Sequence, residues 1–97
     1  MTMAQEMFIV VVYDISNDRR RTKLHTRLKD FGTPVQYSVF ECILDGKEFE
    51  RMKKAVNRII RPRQDHVRYY VVCADCQKKI TVTGRKEITS KPDVIVV

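Results

Sequence analysis

Cysteine is scarce in this 97-residue chain, with three copies, an odd number. That argues against a disulfide framework and fits a reducing cytoplasm. Long apolar runs are missing too. None approaches the ~20 residues needed to span a bilayer, so no membrane-embedded role is expected. Met1 to Glu6 lacks a basic region followed by an apolar one, so no signal peptide is expected. There is no Gly-rich phosphate loop, repeat, low-complexity tract or domain linker. Acidic residues are outnumbered, 12 Asp and Glu against 19 Lys and Arg, for a net charge of +7 and a pI near 9.6. That balance points to a polyanion partner, nucleic acid or a membrane surface.

What remains is a globular composition, 43% hydrophobic and 32% charged. The length suits one domain, 1–97, with a core that needs no staples. Residues 1–6 read as a loose tail. Met7 to Tyr13 run apolar or aromatic into Asp14, the pattern of a buried strand over 7–14. Phe8, Val10 and Val12 share one face; Ile9, Val11 and Tyr13 share the other. Both faces are therefore expected to be covered, one of them by a second subunit.

Ser16 or Asn17 caps a helix predicted to run to Asp30, with a thin apolar stripe of Leu24, Leu28 and Phe31. Gly32 ends it and Pro34 prevents its resumption. Residues 35–43 alternate as a half-buried strand, with a possible kink into two near Phe40. Asp45 and Glu48 have capping-box spacing. The following helix places Phe49, Met52, Val56, Ile59 and Ile60 on one face, and Pro62 stops it. A short polar linker, Arg61 to Asp65, leads to a strand marked by Val67, Tyr69, Val71 and Cys73. Residues 80–83 read as another short strand, and Val94 to Val97 as a last one. Two helices on a mainly antiparallel sheet make an α+β sandwich. Dividing 35–43 into two strands gives the ferredoxin-like βαββαβ order with a C-terminal β tail. The apolar end, 92–97, is expected to pair across a dimer and cover an open edge.

Asp14 is the first candidate for chemistry. A carboxylate binds hard divalent cations and holds water for attack on a phosphodiester. The plainer role is a turn former at a strand end. One carboxylate suffices for Mg²⁺ only if water, backbone oxygens or a symmetry mate complete the shell. Next come the basic residues Arg19, Arg20, Arg21, Lys23 and Arg27 of the first helix, candidates for phosphate contact rather than a merely solvated face. Arg51, Lys53, Lys54 and Arg58 repeat the theme, partly neutralised by Glu48 and Glu50. Cys73 and Cys76 form a C-x-x-C pair. Zinc needs four ligands, and the chain adds only Cys42, His25 and His66, so free thiols are the default. His25 and His66 are expected at the surface.

Phe8 to Asp18, followed by Arg19 to Arg21, then Gly32 and Gln36 to Glu41, resembles the CRISPR-associated Cas2 family. The resemblance extends through the second helix and the Tyr69–Val72 strand. It implies a ferredoxin-like homodimer in which Asp14 is the catalytic, metal-binding residue, with two copies facing across a two-fold axis. It also implies cleavage of single-stranded RNA or double-stranded DNA, assisted by Mg²⁺ or Mn²⁺. A further implication is a place in CRISPR adaptation, where the family binds DNA beside the Cas1 integrase. Tyr13, Arg21 and Phe40 fall on positions implicated in activity. An Arg found just ahead of the Gln in some members is absent, with Pro34 and Val35 in its place. The alternative function is a non-catalytic scaffold that binds double-stranded DNA for an integrase partner.

Overall fold

The computed structural model of the chain describes residues 5–84 and Thr89. The expected strand at 94–97, its pairing through 92–97, and most of the expected tail at 1–6 lie outside the described residues. Seven elements follow in order: β1 (Met7–Asp14), α1 (Asp18–Leu28), β2 (Gly32–Gln36), β3 (Val39–Leu44), α2 (Gly46–Ile59), β4 (His66–Val72) and α3 (Ala74–Gln77). The four strands form one sheet in the order β2-β3-β1-β4, antiparallel at every pair. The architecture is α+β.

Both long helices begin as their sequences dictate. The Asn17 side chain accepts the Arg20 amide at 2.9 Å. Asp45 accepts the Glu48 amide at 2.8 Å while Glu48 reaches back to the Asp45 amide at 2.9 Å, a complete capping box. At its far end α1 stops at Leu28, short of the expected Asp30. There the Asp30 and Phe31 amides bond to Arg27 and Leu28 carbonyls, tightening the chain into three-residue turns.

Leu24 and Leu28 of α1 and Met52 and Val56 of α2 are buried against one face of the sheet. Ile9, Val11, Tyr13, Phe40, Cys42 and Leu44 meet them there. Burial of such side chains contributes on the order of 1.5–3 kcal/mol each. On the opposite face Phe8 is buried, but Val10, Val12, Val39 and Ile43 are only half-buried, and Tyr70 is exposed. The second face of β1 is thus partly open within one chain.

Residues 35–43 do divide into two strands, but at Tyr37-Ser38 rather than near Phe40. Ser38 takes the left-handed conformation, φ 66°, which reverses the chain. Its carbonyl accepts the Tyr13 amide at 3.1 Å, tying the turn to the end of β1. Gly32 lies so close to β3 that a Cβ would meet Cys42 Sγ at 2.4 Å and the Glu41 carbonyl oxygen at 2.5 Å.

The expected strand at 80–83 is not formed. No described strand pairs with it, and the turn of α3 precedes it. Cys73, placed in a strand by its alternation, instead caps α3. The linker at 61–65 is also more than a connection, because Asp65 within it is buried.

Candidate metal and nucleic-acid site at the end of the first strand

Alternation along β1 divides the candidate residues between two sides. Tyr13 points among the helices, 4% exposed, and Asp14 points the other way, exposed. Phe40 is fully buried on Tyr13's side. Tyr13 and Phe40 therefore do not converge on the Asp14 carboxylate. They hold the strand from beneath, with rings 6.4 Å apart.

His25 joins them. It shares a 3.2 Å hydrogen bond with the Tyr13 hydroxyl and stands edge-on to Phe40, centroids 5.1 Å apart. The expectation of a surface histidine fails because this imidazole stacks against the aromatic pair. Burial pushes the Tyr13 phenol above its usual range, and the Tyr37 hydroxyl adds to this against the Arg21 charge.

Arg21 crosses from α1 to the strand end. Its Nη1 donates to the Ile15 carbonyl at 2.8 Å, and its Nη2 pairs with Asp18. The Asp18 hydrogen bond raises its already high proton affinity. A permanent positive charge thus sits one residue beyond Asp14.

The rest of the basic cluster separates into engaged and free members. Arg20 is engaged, donating twice to Asp65 and once to Gln64. Arg27 pairs with Asp30 and lies over the Phe31 ring, 5.1 Å from its centroid. Arg19 and Lys23 are exposed and make no ion pair among the described residues. On α2, Lys53 pairs with Glu50 at 2.8 Å, while Arg51, Lys54 and Arg58 remain exposed.

One residue was missed from sequence, and another, His66, lies at the surface as expected but beside a neighbour that was not foreseen. Asp65 has its carboxylate covered and bonded to Arg20 and to the Arg61 amide. His66 stands directly across from Asp14 in the β1–β4 register and is likewise exposed. Only the register reveals that neighbour, and no local pattern could have shown it.

As a metal ligand Asp14 fits in kind, an exposed oxygen donor on a rigid strand end. It does not fit in number. No group of three or more His, Cys, Asp or Glu side chains able to hold a metal gathers among the described residues. A full shell would draw on water, backbone oxygens or a second copy. No helix among the described residues is long and apolar enough to cross a membrane.

The family profile for "CRISPR associated protein Cas2" matches residues 7–80. The chain is 35% identical over 92 residues to a protein of Synechocystis named CRISPR-associated endoribonuclease Cas2 3, covering 94% of this chain and all of that one. It is 42% identical over 67 residues to CRISPR-associated endonuclease Cas2 2 of Thermus thermophilus, covering 69% of this chain and 74% of that one. Among solved structures, Streptococcus pyogenes Cas2 at pH 6.5 superposes with a TM-score of 0.71 at 29% identity, over 80% of this chain and 100% of that chain. A chain of a partial Cas6-RT-Cas1–Cas2 complex superposes at 0.74 with 25% identity, over 94% and 99%. Matched along β1, both long helices and β4, the chain belongs to the CRISPR-associated Cas2 family.

Proposed function

We propose that this chain is a CRISPR adaptation protein, a ferredoxin-like homodimer that cleaves RNA or double-stranded DNA through Asp14 at the dimer interface. The observation that carries this reading is Asp14 itself. It is an exposed carboxylate at the end of a strand whose backbone is held by β3, β4 and the buried Tyr13. The names of the Synechocystis and Thermus relatives support the reaction class. The half-open face carrying Val10, Val12 and Tyr70, and residues 81–83, which pair with no described strand, support a second copy as the cover.

Asp14 of each copy would hold Mg²⁺ or Mn²⁺. Such an ion, when bound, supplies a Lewis acid and an activated water for phosphodiester hydrolysis. The chain's own groups do the rest. Arg19 and Lys23 bind backbone phosphates, helped by Arg27 where it can exchange Asp30 for phosphate. Arg21 keeps positive charge beside the strand end, and Tyr13 and Phe40 fix the direction in which Asp14 is aimed.

The test is cleavage by highly purified protein. Wild type is expected to cut in Mg²⁺ or Mn²⁺ and to stop in EDTA. Asp14→Asn is expected to fold and bind duplex DNA without cutting. Equal cutting by Asp14→Asn, or none by wild type, sinks the nuclease reading.

The second reading is a non-catalytic scaffold gripping double-stranded DNA for a Cas1 partner. The absence of a three-donor group at Asp14 among the described residues favours it, as does the likeness to a chain from a Cas1–Cas2 assembly. Duplex binding that survives in Asp14→Asn, with no cleavage by either protein, is its signature.

A further inference from the structure

Cys73 and Cys76 lie apart from Asp14, at the end of β4, and both are exposed. Cys73 caps the single turn of α3. Its sulfur accepts the Cys76 amide at 3.4 Å, and its carbonyl accepts the Gln77 amide at 2.8 Å, closing the turn. The closed turn thus brings the backbone of Cys76 to the Cys73 sulfur and makes the two cysteines neighbours in space. The pair buries no core surface, and no third metal donor joins it among the described residues. Neither packing nor a closed metal site accounts for it.

We propose that Cys73 and Cys76 form a dithiol–disulfide couple that exchanges with low-molecular-weight disulfides of the glutathione class. The Cys73 thiolate attacks one sulfur of the small disulfide, forming a mixed disulfide and expelling one small thiolate. The Cys76 thiolate then attacks the Cys73 sulfur, closing the intrachain bond and expelling the second. The dithiol loses two electrons, which reduce the small disulfide to two thiols. The two protons from Cys73 and Cys76 end on the two leaving thiolates.

The division of labour follows from the hydrogen bonds. The Cys76 amide, donating to the Cys73 sulfur, stabilises a Cys73 thiolate and lowers its proton affinity. The neighbouring Cys73 raises that of Cys76, which suits the later, resolving step. Cys42 is a control within the same chain. It is fully buried beside Met52 sulfur, 3.9 Å away, and burial pushes its thiol up to about 12.

The experiment equilibrates the full chain in glutathione buffers from reduced to oxidised, alkylates the free thiols, and maps the peptides by mass spectrometry. Two of the three thiols are expected to disappear together into a Cys73–Cys76 linked peptide, with Cys42 alkylated only after unfolding. Cys76→Ser is expected to trap one glutathione on Cys73. Cys73→Ser is expected to react more slowly, at Cys76. Separate glutathione adducts on the two cysteines without a linked peptide, or reactivity no greater than that of Cys42, overturn the proposal. Both serine variants alter exposed side chains, so a failure to fold does not confound the result.

Discussion

Arg20 meets Asp65 with two nitrogens of its guanidinium, Nε to Oδ2 at 2.8 Å and Nη2 to Oδ1 at 3.1 Å. The contact ties the first turn of α1 to the residue preceding β4. The Arg61 amide adds a third donor, to Oδ2 at 2.8 Å. Arg20 therefore serves the fold before it can serve a ligand.

Removing either partner should cost stability. Asp65→Ala leaves Arg20 and the Arg61 amide unpaired, and Arg20→Ala leaves a covered carboxylate. Each is expected to lose about 2 kcal/mol in urea unfolding. A loss within error of zero would show the pair to be solvated and weak.

The same contact sets an acid limit. The Arg20 hydrogen bonds, aided by the Arg61 amide, hold the Asp65 carboxyl below its usual range against the opposing effect of burial. A carboxylate with a lowered folded pKa contributes stability that is fully present above the unfolded value, about 3.9. It is lost as pH falls below that value through the folded one. Comparing unfolding of wild type and Asp65→Asn, the difference between them should be constant above about pH 5 and shrink below about pH 4. A difference that does not change with pH contradicts this.

Nucleic-acid affinity should separate the basic residues of α1. Arg19→Ala and Lys23→Ala are each expected to flatten the dependence of log affinity on log salt by about one unit for duplex DNA. Arg20→Ala should move the melting temperature more than the slope. Equal slopes in all three variants would remove α1 from the interface.

Gly32→Ala places a methyl carbon against Cys42 Sγ and the Glu41 carbonyl oxygen. The backbone oxygen cannot rotate away. A loss of about 1–3 kcal/mol is expected by thermal unfolding. Unchanged melting would mean that β2 shifts outward without cost.

The proposed dimer predicts a role for exposed apolar groups. Tyr70 and Val82 are 49% and 45% exposed. Tyr70→Ala and Val82→Ser are each expected to raise the dimer dissociation constant about tenfold in sedimentation, equivalent to about 1.4 kcal/mol. An unaltered constant puts the interface elsewhere.

Local chemistry was legible in the sequence. Asn17, the Asp45–Glu48 box and the apolar run of β1 act through near neighbours, and each stands where its pattern places it. The break at Ser38 was not, because a serine with positive φ has no distinctive pattern and the Tyr13 amide that holds it is remote in sequence. Asp65 read as linker because its partner lies on α1. His25 read as surface because the Tyr13 and Phe40 rings that shelter it come from two strands. For Asp14 the strand end was legible, and its neighbour His66 needed the register.

That register also bears on how the protein is made. β1 is interior to the sheet, yet it leaves the ribosome well before β4, which borders it. One of its edges is closed by β3; the other waits for β4, which brings His66 to Asp14 and Val72 to Phe8. Until β4 has emerged, the most apolar stretch presents an open hydrogen-bonding edge. Such an edge invites pairing with other nascent chains. Closing it late, over a long loop, also makes the β1–β4 pairing a slow step in folding. Slowing translation between α2 and β4 should therefore increase aggregation of newly made chains, whereas the same pause after Val72 should not.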